Sequence, residues 1–158
     1  MKKLFLIATF VISSVTFAQS TAKEDIEIIQ GKYGKSKKEL VNTYMALKES
    51  QASAFWKVYD AYEQERKLLG KKRIELINDY INNYESLSNE KADQLLKATL
   101  KNEMAYDKLY SKYYEKMKKA IGAIDAAKFI QLENGLQTAI MAETQNAIPF
   151  IGDMDRSK

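Results

Sequence analysis

Arg66 and Arg73 stand seven residues apart in one row with Tyr59 and Tyr80, and they are two of only three arginines among 25 basic side chains. A guanidinium stacks on an aromatic ring and grips a carboxylate through a planar fork, which an ammonium does not. Two uses of the pair follow. Each arginine can close an ion pair with a carboxylate at the edge of the core, Glu133 first and Glu103 second. Alternatively, the pair can project with Tyr59, Tyr62 and Tyr80 into a groove that holds a client or partner. The other candidates for chemistry nearby are Asp60, Glu63, Glu65 and Glu75. Asp60, Glu63 and Lys67 follow the three- and four-residue steps of a solvated, ion-paired helix face. Nothing in the sequence sets two of these carboxyls apart as an acid and a base.

The chain has no His and no Cys. The usual general base, the commonest metal ligand and any disulfide framework are therefore missing. The methionines at 45, 104, 117, 141 and 154 are scattered, and read as core filler rather than as a thioether metal site. The expectation is a protein that is not an enzyme, with no catalytic residue, no metal and no cofactor. Lys35, Lys37 and Lys38 form a small basic cluster with two readings: a solubilising helix face, or a weak contact with an anionic membrane surface.

Those side chains must be positioned by helices. Lys2 and Lys3 precede an apolar run from Leu4 to Ile12, and Thr16-Phe17-Ala18 follows before Gln19. That is the layout of a secretory signal covering residues 1–18, too short for a comfortable span and without the Cys of a lipoprotein anchor. A periplasmic location follows as an expectation. Removing Lys2 and Lys3 takes the formal charge from +4 to about +2. The basic pI is then largely a property of the leader, and nucleic acid is not an expected partner. The rest is long enough for one domain at 19–151, with a polar, disordered tail at 152–158.

Beyond the leader the only Pro is Pro149, and no stretch alternates as a strand does. The chain reads as helix throughout. A first helix is expected over about 23–46, with Ile26, Ile29, Tyr33, Leu40 and Tyr44 on one side and with Gly31 and Gly34 weakening it enough to allow a bend or a break. A second spans about 49–85, where Phe55, Tyr62, Leu69 and Leu76 repeat every seven residues beside the row of Tyr59, Arg66, Arg73 and Tyr80. It would be about 55 Å long, with Gly70 as a point where it can kink. Ser88 caps a third helix running to about 119, burying Ala92, Leu95, Leu96, Thr99, Tyr106, Leu109, Tyr110, Tyr113 and Met117. After Gly122 a fourth spans about 124–147, carrying Phe129, Leu132, Leu136, Ile140 and Ala147. The short 84–88 link makes the second and third an antiparallel pair. Ten Tyr against three Phe after the leader also allow two readings: half-buried positions in thin helices, or a surface that meets varied partners.

Leu47 to Phe55 reads Leu-Lys-Glu-Ser-Gln-Ala-Ser-Ala-Phe, and Ile121 to Phe129 is a degenerate echo, Ile-Gly-Ala-Ile-Asp-Ala-Ala-Lys-Phe. Each opens a helix with an aliphatic staple, a polar turn and a first aromatic. The first copy resembles the Leu-Thr-x-x-Gln motif of the Spy/CpxP family of periplasmic helical stress proteins, with Lys48 in place of Thr and Gln51 retained; the second has Asp125 where Gln is expected. Phe55-Trp56-x-x-Tyr59-x-x-Tyr62 and Phe129-x-Gln131-Leu132-Glu133 are also similar to segments of an uncharacterised exported group related to that family, over about 36–151. The resemblance implies an all-α, elongated four-helix hooked hairpin that forms an antiparallel homodimer. Its concave face would hold unfolded envelope proteins without ATP, as a chaperone. The alternative is an envelope regulatory or structural module binding one specific protein.

Overall fold

The computed structural model describes residues 20–151, without the side chains of 20–24 and 26. The expected leader at 1–18 and tail at 152–158 lie outside the described residues. The architecture is all-α. Five α-helices follow in order: α1 Ser20–Tyr33, α2 Lys37–Met45, α3 Glu49–Asn83, α4 Asn89–Ile121 and α5 Ala123–Ala147, with a single 3-10 turn, Tyr84–Ser86, between α3 and α4. No strand occurs among the described residues, and no helix there is long and apolar enough to cross a membrane.

The first expected helix is two. The break comes at Gly34, whose φ of 64° is a left-handed conformation that glycine adopts without a Cβ penalty. Ser36 then restarts the helix with a reciprocal cap: its hydroxyl accepts from the Glu39 amide at 3.3 Å, and its own amide donates to the Glu39 carboxylate at 2.9 Å. Gly31 stays inside α1. Folding back at residues 34–36 lays α1 on α3 and α5, and α2 on α5.

The long pair is α3 and α4, antiparallel and sharing the largest helix–helix contact. Its alignment is pinned at several levels. Lys112 and Tyr113 donate to Glu65, the Asn102 amide lies 3.4 Å from the Leu69 carbonyl, and Lys91 donates to Asp79. Ser88 caps α4 by accepting from the Lys91 amide at 3.2 Å. Gly122, with φ 91°, turns the chain into α5. Helix α3 runs through Gly70 without interruption. A Cβ there would lie at ordinary contact distance, 3.4 Å from Asp25 Oδ2 and 3.7 Å from the Tyr106 hydroxyl.

α5 packs on α4, whereas α3 and α5 keep their backbones apart and meet through long side chains. That separation accounts for the tyrosines. Phe55, Tyr62 and Phe129 span the gap with edge-to-face contacts at 5.6 and 5.2 Å, and Tyr113 of α4 joins at 5.3 Å from Tyr62. Such pairs contribute roughly 0.5–1.5 kcal/mol each beyond area burial. Val41, Met45, Met117, Ile121 and Ala126 complete the core.

Several expected core positions are not in it. Leu96 is 60% exposed, and Met104, Ala147, Tyr33 and Tyr44 also face outward. On α4 the buried stripe runs through Leu95, Asn102, Tyr106, Leu109 and Tyr113. Leu96, Leu100 and Met104 form a second row, four residues apart, on its outer flank. On α1 and α2 the inward positions are Asp25, Ile29, Val41 and Met45, because the break at Gly34 resets the helical phase.

Candidate functional site

Along α3 the inward stripe passes from aromatic to charged. Phe55, Tyr59 and Tyr62 are followed one turn at a time by Arg66, Gly70 and Arg73, all buried. Arg66 and Arg73 are 6% and 7% exposed, so each guanidinium requires a carboxylate within reach. Asp25 of α1 supplies both. Its Oδ2 accepts from Arg66 Nη1 at 3.0 Å and its Oδ1 from Arg73 Nη2 at 2.7 Å. The expected partners do not serve. Glu103 is exposed on α4, and Glu133 lies beside Tyr62, where α5 places it beyond the aromatic cluster.

Glu133 belongs to the same network at its other end. Its Oε2 accepts from the Tyr62 hydroxyl at 2.7 Å and from Lys37 Nζ at 2.8 Å. Lys37 also pairs with Glu63, and Glu63 takes Arg66 Nε at 2.8 Å. The six side chains therefore alternate in sign along one ladder, Glu133, Lys37, Glu63, Arg66, Asp25 and Arg73, which joins α1, α2, α3 and α5. Three anions face three cations. Lys37 is thus not part of an open basic cluster: its head is nearly buried and sits 5.5 Å from the Tyr62 ring centroid. Lys35 and Lys38 do face solvent, the latter over Trp56. Nor is Glu63 on a solvated face, since its partners are Lys37 and Arg66 rather than Lys67.

The electrostatics favour the charged forms. Burial alone would raise the Glu63 carboxyl, but Lys37 and Arg66 outweigh it and hold the group below its ordinary value. Burial likewise opposes the Arg66 charge, and Glu63, Glu133 and Asp25 reverse the effect. Tyr59 and Tyr62 are pushed well above the usual phenol range, first by burial and then by the nearby carboxylates. Tyr62 therefore remains a proton donor to Glu133. Three buried polar atoms have no partner: Arg73 Nε, Glu133 Oε1 and the Tyr106 hydroxyl. Two of them are the two ends of the ladder.

The two motif copies meet. Gln51 donates to the Ile121 carbonyl at 2.9 Å and to Asp125 at 3.0 Å, so the first copy's glutamine closes the end of α4 and binds the residue that replaces glutamine in the second. Leu47 and Trp56 pack against the core, and Phe55 meets Phe129. The motif residues Leu47, Gln51, Phe55, Trp56, Ile121, Phe129 and Glu133 therefore lie along the line where α3 meets α5 and the turn before it.

Of the residues expected to face a client, Tyr59, Tyr62, Arg66 and Arg73 are enclosed within the subunit. Tyr80 is half-buried and donates to the Pro149 carbonyl at 2.9 Å, tying down the segment after α5. Compared with protein-family models, curated proteins and solved structures, the chain matches none. No group of three or more His, Cys, Asp or Glu side chains among the described residues is placed to hold a metal ion. Sequence reasoning missed Asp25 and reduced Lys37 to a surface charge. Each lies one helical turn before a position that the fold turns inward, Ile29 and Val41, and that inward phase is set by the break at Gly34.

Proposed function

We propose that this chain is an exported, periplasmic interaction protein of Spy/CpxP type that holds non-native polypeptides without nucleotide. The observation that carries the reading is the row of Leu96, Leu100 and Met104, each about half exposed or more, with Lys97, Lys101 and Lys108 exposed on the same helix. Apolar contact interleaved with cations suits loose capture of varied chains, and a flexible Met adapts to different surfaces. The binding face in this reading lies on α4, not on the enclosed tyrosines and arginines of α3. Lys2, Lys3 and the apolar run after them support export. A hooked homodimer is part of the proposal, with the second copy shielding the α4 row between clients.

The test is light scattering of two unrelated aggregating clients with the wild-type chain and with Leu96→Ser/Leu100→Ser/Met104→Ser. Suppression by the wild type that drops at least several-fold in the triple variant, at unchanged helicity, is the expected result. Equal suppression by both refutes the row as the binding face. A second reading, a regulatory or structural module for one specific protein, draws on the charge ladder, because a subunit fixed in one arrangement presents a preformed face. Failure to protect either client, with capture of a single envelope protein, selects that reading.

A further inference from the structure

Beyond Arg73 the side chains between α3 and α5 no longer fill the gap. A cavity of about 380 Å³ opens there, walled by α3, α4 and α5. Its size falls within the range of about 300–1,000 Å³ typical of small-molecule sites. Leu76, Ile77, Tyr80 and Met141 form an apolar wall, and Arg73 and Tyr106 also line the cavity. Both residues are more than nine-tenths buried, and both carry a polar atom without a partner. Arg73 Nη1 has only the Met141 sulfur, at 3.9 Å. Arg73 Nε and the Tyr106 hydroxyl are themselves enclosed, so Nη1, which meets the lining residue Met141, is the donor left for an acceptor.

The ladder states what kind of acceptor. Charges alternate from Glu133 to Arg73, and Arg73 shares its only carboxylate, Asp25, with Arg66. The next group in the alternation is an anion. At the far end Glu133 is enclosed, whereas the Arg73 end opens to the cavity. Glu103 and Asp107 also line the cavity, but both are exposed to solvent, where their repulsion is screened. We propose that this cavity binds an apolar monocarboxylate, whose carboxylate takes Arg73 Nη1 while its tail lies against Leu76, Ile77, Tyr80 and Met141.

Titration calorimetry of the full chain with decanoate, below its micellar concentration, and with 1-decanol tests this directly. Decanoate should bind saturably, one to one, at least ten-fold more tightly than the alcohol. Thr99→Phe, which fills the cavity from α4, should abolish binding and leaves the ladder untouched, so its readout does not depend on an Arg73 variant folding. Absence of saturable binding, equal affinity for acid and alcohol, or decanoate binding unchanged in Thr99→Phe would each overturn the assignment.

Discussion

Asp25→Asn is the perturbation to which the ladder is most sensitive. The substitution keeps the shape and removes the one carboxylate that two buried guanidiniums share. Arg66 retains Glu63, but Arg73 is left with the Met141 sulfur and no anion. Removing one member of a buried ion pair typically destabilises by about 3–5 kcal/mol, because the partner charge stays desolvated and uncompensated. For a chain of this size about 3–4 °C accompanies each kcal/mol, so the melting temperature followed by circular dichroism at 222 nm should fall by about 10–20 °C. Adding Arg73→Leu to Asp25→Asn removes the stranded charge and should restore at least half of that loss. α1 is held to the bundle by Asp25 and Ile29 among its described buried side chains, so local undocking could absorb the damage. Hydrogen exchange over residues 20–33 separates that case. A melting temperature within about 2 °C of wild type together with unchanged exchange in α1 would refute the reasoning.

Two further perturbations probe the same region. Gly70→Ala places a Cβ at ordinary contact distance, 3.4 Å from Asp25 Oδ2 and 3.7 Å from the Tyr106 hydroxyl, inside a helix where Gly costs about 0.5–1 kcal/mol relative to Ala; urea unfolding should show a gain of that size, and Gly70→Leu, which displaces Asp25, a clear loss. Glu63 is held below its ordinary 4.5 in the folded state, so its contribution is fully present above about pH 4.5 and is lost as pH falls through the folded value. Melting temperature should therefore hold between pH 7 and 5 and fall below 4.5, with a shallower fall in Glu63→Gln; parallel acid limbs in the two proteins would rule out Glu63 as the source.

The long elements were legible because their signals are local. Seven-residue rows, Ser88, Gly122 and the single Pro place α3, α4 and α5 within a few residues of where they lie. The split of the first helix was half legible: Gly34 marks a weak point, but only the Ser36–Glu39 cap commits the chain to a new helix there. Partner choice was least legible. The seven-residue spacing of Arg66 and Arg73 shows that they share a face, yet not which carboxylate meets it. That depends on how α1 folds back, a matter of tertiary docking rather than of period.

Six buried charges are an unlikely way to gain stability alone, since well-packed apolar residues of similar volume often do as well or better. What the ladder supplies is register. α3 and α5 stay apart, and an apolar gap of that width could be closed by several slides of one helix along the other. Each charge instead accepts only its neighbour of opposite sign, and a shift by one turn would break at least one of these pairs. Asp25 fixes α1 against two points of α3 that lie two turns apart, and Lys37 fixes α2 between Glu63 and Glu133. The aromatic cluster needs that register, because Phe129 meets Phe55 and Tyr62 edge-on only when α5 stands where Glu133 receives the Tyr62 hydroxyl. The same register leaves the cavity open beyond Arg73, where the alternation stops on a cation.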